Sequence, residues 1–499
     1  HEINNLLNIY NVENIELKTD LMKMFNCIDY IDSLKCKLNP RSFKDKEEFE
    51  INRYVLNVSG KILYQRAIVG KFTIDNKYED IIDFVLGLSD FPMKSLINRV
   101  KKINDIDGII TPESIFHIYN ISQNGESKTS QAVAEFLNDT CVSSSDLAMF
   151  ENLTATPSVT VNYTGQCNTS TMEPDVEGSL DIQYQYGVNS HVDQHYLNIN
   201  DWMYAFAQEI YQLKNPPLVI SMSWGWSEAD QCDNFGCSIS VSSDKYVART
   251  NVEFMKLSLR GITLVASAGD AGSSGRTNEG CDSEPYLNPV FPGGSPYVIS
   301  VGGTVITNPV ILKSSESPIC KNSSCIIGGN EHNCDFNLTG WTSGSGFSNF
   351  SQREHWQNDA VNSYLQSNTT FPPSDMWNSK GRAYPDVSMV AHAYQVINNG
   401  VIISVDGTSA SSPSFSALIS RLNNLRISEN KSAVGLVGPL LYQMWKECTD
   451  CFYDLTIGSS NSTEYSDCKY GYNAASGYDA VYGLGLPNFD KMYEYVKNM

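Results

Sequence analysis

A serine near the start of a predicted helix is placed where it could act as a nucleophile. Ser409 follows Gly407 and Thr408, directly after a hairpin pattern over residues 394–405 whose turn is Asn-Asn-Gly. Apolar residues then recur at helical spacing over residues 415–422. At a helix N-terminus, backbone N–H groups and the positive end of the helix dipole favour a developing oxyanion. Serine is also an ordinary N-cap residue, so the motif by itself leaves both interpretations open.

Three acidic residues could supply the proton transfers that a serine nucleophile needs. Glu177 and Asp181 lie four residues apart in a helical pattern, so their carboxyl groups project from one helix face. Asp270 directly follows an apolar strand pattern. Taken singly, the first two are typical of a solvated helix face and the third of a capped turn. None of the seven histidines lies in a comparable motif, so the sequence does not predict a histidine-based triad.

Strand and helix patterns alternate from Thr111 onward. Three short apolar runs are typical of strands that are covered on both faces, at residues 218–224, 262–268 and 297–301. Three helical patterns lie among them, at residues 177–186, 199–213 and 246–260. This alternation predicts a doubly wound α/β domain with a parallel sheet and a site at the carboxyl ends of its strands. The polar, glycine-rich stretch 307–375 predicts surface loops.

Residues 1–105 have a different pattern and are richer in Lys and Arg. Helical patterns at 15–25 and 79–86 alternate with strand patterns at 53–57 and 62–68, which predicts a small α+β module. Its basic clusters could dock on the acidic remainder of the chain, or the two could be independent domains. Composition leaves both arrangements open.

The net charge limits the classes of partner. The 499 residues carry a formal net charge of -21 at pH 7. Nucleic acids and anionic membranes would be repelled by this charge, and no apolar run approaches the roughly 18 residues of a membrane span. We therefore expect no nucleic-acid partner and no membrane insertion. Such an acidic chain suits an acidic compartment, where many carboxylates are protonated.

Sequons and cysteines indicate the secretory pathway. Asn-x-Ser/Thr sequons are frequent, at Asn57, Asn120, Asn138, Asn152, Asn162, Asn168, Asn322, Asn337, Asn349, Asn368, Asn430 and Asn461. Most of the thirteen cysteines fall in close groups, namely Cys27 with Cys36, Cys232 with Cys237, Cys320 with Cys325 and Cys334, and Cys448 with Cys451 and Cys468. Disulfides are favoured over zinc sites because histidines do not cluster with these groups. The odd total leaves at least one thiol unpaired within the chain.

Separated motifs occur in one order along almost the whole chain. They are Glu177-Gly178-Ser179-Leu180-Asp181, Phe291-Pro292, Val301-Gly302-Gly303-Thr304, Ser345-Gly346-Phe347-Ser348, Gly381-Arg382-Ala383-Tyr384-Pro385-Asp386 and Gly407-Thr408-Ser409-Ala410-Ser411. Together they resemble the sedolisins, or serine-carboxyl peptidases, and within them the tripeptidyl-peptidase branch. The resemblance implies a subtilisin-like catalytic domain over residues 106–499. It also implies that residues 1–105 are a propeptide, N-terminally incomplete, which acts as an intramolecular inhibitor of a zymogen.

The resemblance also implies a role for each candidate residue. Ser409 matches the nucleophile, Glu177 its general base, Asp181 the residue that orients Glu177, and Asp270 the acid of the oxyanion hole. A lone glutamate is a weak base, but a carboxyl cluster shares protons and raises some of its pKa values. Asp270 can donate a hydrogen bond to an oxyanion only while it is protonated, which requires acid pH.

These roles define the expected function and its alternatives. The resemblance implies an acid-active peptidase, lysosomal or secreted, that releases tripeptides from the free N-termini of polypeptides. An acid endopeptidase of the same family is the first alternative. A catalytically silent secreted glycoprotein on the same fold is the second, which the intact set of four residues disfavours.

A calcium site near the C-terminus is implied by the same resemblance. Its ligands would be the side chains of Asp454 and Asp479 and the backbone carbonyls of Leu455, Ala475 and Gly477. Oxygen ligands on a glycine-containing turn suit Ca²⁺.

The sequence departs from the family pattern in three places. Asp406 stands where serine is common, Ala475 stands where glycine is frequent, and residues 273–280 look inserted. The insertion shifts Cys281, so family disulfide pairings cannot be carried over.

Overall fold

The computed structural model describes most of the chain beyond residue 108 and separate segments before it. The described ranges are 6–10, 15–24, 26–30, 33–37, 49–58, 61–70, 85–86, 108–122, 129–136, 141–165, 174–199, 201–232, 241–278, 280–281 and 286–499. The chain divides into two compact units, one of residues 1–96 with 229–246 and one of residues 97–228 with 247–499.

Among the described residues of 1–96, the first unit contains a four-stranded antiparallel sheet, a helix and a long hairpin. Its elements are β1 (Leu6–Tyr10), α1 (Ile15–Met24), β2 (Asn26–Asp29), β3 (Ser33–Lys37), β4 (Phe49–Val58), β5 (Lys61–Gly70) and β6 (Val85–Leu86). The sheet order is β2-β3-β1-β6, and β4 pairs with β5. A disulfide joins Cys27 and Cys36, which are paired across β2 and β3.

These elements test the local predictions for the first unit. The predicted helix at 15–25 and both predicted strands are confirmed. The helix predicted over 79–86 is wrong at its end, since Val85 and Leu86 form a strand that pairs with β1. Residues 79–84 lie outside the described residues. The assignment of residues 1–105 as a propeptide stays a prediction.

The second unit is built on a mainly parallel sheet. Its strands are β7 (Ser130–Phe136), β8 (Val161–Thr164), β9 (Asp193–Ile199), β10 (Val219–Met222), β11 (Trp226–Ser227), β12 (Thr263–Ser267), β13 (Val290–Phe291), β14 (Val298–Ile311), β15 (Ile326–Asn333), β16 (Gly346–Gln352), β17 (Gly381–Tyr384), β18 (Val387–Val390), β19 (Tyr394–Asn398), β20 (Val401–Val405), β21 (Phe452–Tyr453) and β22 (Leu486–Pro487). The sheet order is β15-β14-β12-β10-β7-β9-β8, with β18 also paired to β14. Every pair in it is parallel except β14 with β15.

The helices of this unit lie between its strands and at its C-terminal end. They are α2 (Pro112–Ile118), α3 (Ser144–Thr154), α4 (Val176–Val188), α5 (Met203–Gln212), α6 (Ser243–Leu259), α7 (Pro318–Asn322), α8 (Phe336–Thr339), α9 (Asn358–Leu365), α10 (Thr408–Ser428), α11 (Gly438–Glu447) and α12 (Phe489–Lys497). Within the described ranges, no helix is long and apolar enough to cross a membrane. The predicted doubly wound α/β architecture is confirmed.

The hairpin and helix that present Ser409 form as the sequence predicts. β19 and β20 pair across Asn399 and Gly400, both at positive φ, as the Asn-Asn-Gly turn requires. The following helix α10 packs on α4, and its apolar residues are buried at Leu418, Ile419 and Leu422. These contacts fix the start of α10 relative to the helix that carries the two acidic residues.

The predicted surface loops over 307–375 are only part of that segment. β14 continues to Ile311 and pairs with β15, and the segment also contains β16 and three helices. The polar composition suggested loops because β15 is an edge strand that is half-exposed. Polar side chains are tolerated on the exposed side of such a strand.

Disulfides account for most of the described cysteines. Besides the bridge in the first unit, they join Cys281 to Cys468, Cys320 to Cys325 and Cys448 to Cys451, while Cys334 is a buried free thiol. Cys468 therefore does not pair within its own sequence group. Its segment instead packs against residues 272–281, which brings Cys281 to it.

Candidate active site

Helix α4 buries the two acidic residues that the sequence places on one face. Asp175 is the N-cap, and its Oδ2 accepts hydrogen bonds from Glu177 N at 3.0 Å and Gly178 N at 3.4 Å. Glu177 and Asp181 are only 1% and 0% exposed. The interpretation of a solvated helix face is therefore wrong, and two carboxyl groups lie inside the protein.

Ser409 lies in the first turn of α10 and is not its N-cap. The N-cap is Gly407, whose φ of 132° suits glycine and whose added Cβ would approach Asp270 Oδ2 to 3.1 Å. The N-cap interpretation of Ser409 is therefore wrong.

Asp270 reaches the same turn from the end of β12. Its Oδ1 accepts hydrogen bonds from Thr408 N at 2.8 Å and Thr408 Oγ1 at 2.7 Å. The same Thr408 hydroxyl accepts a hydrogen bond from Gly269 N at 3.0 Å. Asp270 thus binds the N-terminus of α10 through Oδ1 and does not cap a local turn.

Ser223 links the acidic helix to the serine. Its Oγ lies 2.8 Å from Asp181 Oδ1 and 3.2 Å from the carbonyl oxygen of Ser409. Ser223 directly follows β10, as Asp270 follows β12, so the site lies at the carboxyl ends of the parallel strands. This is the position that the predicted sheet requires.

Glu177 interacts with Ser409 and ionises with difficulty. Burial raises the pKa of Glu177 to about 8, and the negative charges of Asp175 and Asp270 add to the effect. The Ser409 hydroxyl and, more weakly, Arg276 oppose it by favouring the carboxylate. Neither carboxyl oxygen of Glu177 has a hydrogen bond of regular geometry, so the contact with Ser409 is loose. Catalytic hydrogen bonds commonly tighten only when substrate binds.

The structure adds a third buried acid that the sequence analysis missed. Glu135 lies in β7, is fully buried, and its Oε2 accepts a hydrogen bond from Trp224 Nε1 at 2.7 Å. Burial and the charge of Glu177 raise the pKa of Glu135, and burial together with Glu177 and Glu135 raises that of Asp181. An acidic residue between the apolar run 132–134 and Phe136 was the available signal.

Asp406, which departs from the family pattern, braces the nucleophile turn. Its Oδ1 accepts a hydrogen bond from Ala393 N at 2.8 Å and lies 3.0 Å from Nδ1 of the buried His392. The His392 contact lacks hydrogen-bond alignment, so it is an ion pair only when His392 is protonated. Gly407 N also donates to the Ala391 carbonyl at 3.0 Å. The turn before Ser409 is therefore tied to the end of β18.

The residues proposed for calcium lie together in the C-terminal segment. Asp454 Oδ2 accepts a hydrogen bond from Gly477 N at 2.8 Å, and Asp479 Oδ2 accepts one from Ala475 N at 3.0 Å. Burial raises the pKa of Asp479 to about 7, and the charge of Asp454 adds to the effect. Two carboxylates that repel each other on a backbone-rich turn fit a hard divalent cation. Among the described residues, no group of three or more His, Cys, Asp or Glu side chains could hold a metal ion.

Known proteins share both the sequence and the fold. Residues 192–432 match the Subtilase family. Physarolisin from Physarum polycephalum is 36% identical over 438 residues, which cover 86% of this chain and 76% of that protein. Tripeptidyl-peptidase 1 from Homo sapiens is 31% identical over 451 residues, which cover 84% of this chain and 70% of that protein.

A solved structure gives the same fold. Pseudomonas sedolisin, a serine-carboxyl proteinase complexed with pseudo-iodotyrostatin, matches with a TM-score of 0.59 and 23% identity, over 79% of this chain and 99% of that one. The chain belongs to the sedolisin family of serine-carboxyl peptidases. The predicted family and its subtilisin-like fold are thereby confirmed.

Proposed function

We propose that this chain is an acid-active serine peptidase that releases tripeptides from the free N-termini of polypeptides. The observation that carries the proposal is that the buried carboxyl groups of Glu177 and Asp181 and the half-buried carboxyl group of Asp270 surround the turn of Ser409, at the ends of the sheet strands. Carboxyl groups there take the place that an imidazole has in a histidine-based triad. The similarity to tripeptidyl-peptidase 1 favours the exopeptidase form.

The proposed reaction proceeds through an acyl-enzyme. Ser409 Oγ attacks the scissile carbonyl carbon while Glu177 accepts the hydroxyl proton. Protonated Asp270, through Oδ2, and Ser409 N–H donate hydrogen bonds to the oxyanion. Glu177 then passes the proton to the leaving amine as the C–N bond breaks. Water attacks the acyl-enzyme with Glu177 again as base, which releases the peptide and restores the Ser409 hydroxyl.

The roles of the neighbouring acids follow from their contacts. Asp181 is held by Ser223 and interacts electrically with Glu177, so it can share the proton that Glu177 gains. Glu135 extends this cluster through its contact with Trp224. A cluster of three buried carboxyl groups can hold a proton without leaving a full charge on one residue.

The first unit, the disulfides and the sequons support maturation along the secretory pathway. The mixed helices and strands of the first unit suit an inhibitory propeptide that is removed before activity. Disulfides and sequons suit a lysosomal or secreted glycoprotein. Polypeptides with free N-termini are the proposed substrates.

One assay separates the tripeptidyl peptidase from its alternatives. After incubation at acid pH to allow maturation, the enzyme is given a peptide with a free N-terminus and the same peptide N-acetylated. We expect mass spectrometry to show tripeptide release only from the peptide with the free N-terminus. Internal cleavage of both peptides would identify an endopeptidase instead. Hydrolysis of neither, in a sample shown to have lost its N-terminal segment, would indicate a catalytically silent protein.

Calcium is proposed as a structural ion of the C-terminal segment. Asp454, Asp479 and the carbonyls of Leu455, Ala475 and Gly477 would hold it, and it would offset the repulsion between the two carboxylates. An ion present at a hundred times its Kd stabilises the folded state by about 2.7 kcal/mol. We therefore expect a chelator to lower the Tm by about 5 °C, and calcium, but not sodium, to restore it.

The matched variant is Asp454→Asn, which keeps an oxygen to accept the Gly477 hydrogen bond but removes the charge. Its Tm should no longer respond to the chelator. A parent Tm that is the same with and without chelator would rule out the calcium site.

A further inference from the structure

An arginine from the segment 273–280, which the sequence predicts to be an insertion, faces the acid of the proposed oxyanion hole. Arg276 Nη2 lies 3.6 Å from Asp270 Oδ2, and Arg276 Nε lies 3.8 Å from Glu464 Oε1. Thr408 occupies the other oxygen of Asp270. The guanidinium therefore approaches the one carboxyl oxygen that is free to face a substrate. At 3.6 Å the contact is too long for a hydrogen bond, and it is an ion pair while Asp270 is ionised.

The backbone around Arg276 is held firmly. Ser273 N and Ser273 Oγ both donate to the Ser460 carbonyl, at 3.1 and 3.0 Å. Gly272 has a φ of 58°, and an added Cβ would lie 2.0 Å from the Ser462 carbonyl oxygen. The disulfide between Cys281 and Cys468 closes the other end of the segment. Arg276 thus extends from a loop clamped to the segment that supplies Glu464.

The arginine also acts on the catalytic base. Its charge favours the ionised form of Glu177, against the burial and the acidic neighbours that raise the pKa of this residue. The charged groups that act on Glu177 are Asp175 and Asp270, with Asp181 and Glu135 behind it. Those that face Arg276 itself are Asp270 and Glu464. One guanidinium therefore lies against Asp270 and Glu464 and also favours the ionised form of Glu177.

We propose that Arg276 is a positioning residue of this site, which orients the free oxygen of Asp270 and supplies the positive charge that sets the pH range of activity. The proposal rests on the proposed peptidase function. Because Glu177 must be ionised to act as base, loss of the arginine makes ionisation harder and moves the acid limb of the pH–rate profile to higher pH. Arg276 is inferred to act through its contacts with Asp270 and Glu464, so we expect KM to change little.

The test is the pH dependence of kcat for the matured enzyme on a tripeptide-releasing substrate. We expect Arg276→Gln to move the acid limb up by about 0.5 to 1 pH unit, with KM within about twofold of the parent. Arg276→Lys keeps the charge, so the acid limb of its pH–rate profile should lie close to that of the parent. Arg426→Gln is the matched control, because Arg426 donates to Ser432 at the far end of α10, and its profile should coincide with that of the parent.

A second variant tests the same charge without touching the arginine. Glu464→Gln removes a carboxylate that competes for Arg276, so the acid limb should move to lower pH. Unmoved limbs in both variants, with kcat merely scaled at every pH, would show a structural role only and overturn the proposal. A parent that releases no tripeptides would instead refute the proposed function, which the parent assay reports separately.

Discussion

Ser409→Ala is expected to abolish peptide hydrolysis, with kcat lowered by at least about a thousandfold. Ser409 is the second residue of α10, and its hydroxyl interacts with the buried carboxyl group of Glu177. It is therefore the proposed nucleophile. No covalent intermediate can form without the hydroxyl, and only binding and oxyanion stabilisation would remain. Release of a chromophoric group from a tripeptide substrate measures the loss across the acid range.

The control for this variant is another buried serine of the same helix. Ser414 Oγ donates to the Ala410 carbonyl at 2.9 Å and takes no part in the proposed reaction. Ser414→Ala should keep activity within about threefold of the parent, since it loses a hydrogen bond worth roughly 1 kcal/mol to stability. Both variants should unfold within a few degrees of the parent. A folded Ser409→Ala enzyme with more than about a tenth of the parent activity would disprove the nucleophile assignment.

Local sequence patterns were sufficient for the fold and for the separate parts of the site. The hairpin before Ser409, the helix after it and the helix carrying Glu177 and Asp181 each depend on residues within a few positions of one another. Turn chemistry and helical periodicity therefore report them directly. The family motifs then supply the order in which these parts are combined.

Contacts between distant segments could not be predicted in the same way. Glu135 joins the acid cluster only because β7 and β10 are neighbours in the sheet, which brings it to Trp224. Arg276 reaches Asp270 only because its loop is clamped to the segment around Glu464. The burial of Glu177 and Asp181 likewise could be learned only from the structure. Two acidic residues at i and i+4 have the same spacing on a solvated helix face and in a core.

Several buried carboxyl groups make stability depend on pH in an unusual direction. Burial raises the pKa of Glu177 to about 8 and the pKa values of Glu228 and Glu331 to about 7. The same groups in the unfolded chain ionise near the ordinary glutamate value of about 4.3. Between these values the folded state keeps protons that the unfolded state has lost. The stability contributed by these groups is therefore complete below about pH 4.3 and is lost as the pH rises through 7 to 8.

We therefore expect the Tm to be highest at mildly acid pH and to fall by about 5 to 10 °C between pH 5 and pH 8. Each unit of raised pKa corresponds to about 1.4 kcal/mol, so the three glutamates together outweigh the exposed ion pairs, which contribute about 0 to 1 kcal/mol each. Thermal unfolding followed by circular dichroism in the Ser409→Ala background measures this dependence without self-digestion.

Glu331 offers the sharpest variant for this test. Although the residue is half-buried, its carboxyl end is enclosed, and Oε1 accepts hydrogen bonds from Thr304 Oγ1 at 2.5 Å and from Tyr119 OH at 3.0 Å. Glu331→Gln keeps that acceptor and removes the titration, so it should raise the Tm at pH 8, leave it nearly unchanged at pH 5 and flatten the curve. Glu316, with a side chain 99% exposed, is the control, and Glu316→Gln should leave the curve of the parent intact. A parent Tm that rises from pH 5 to pH 8 would mean that these carboxyl groups ionise without cost, and the proton-sharing cluster beside Ser409 would lose its physical basis.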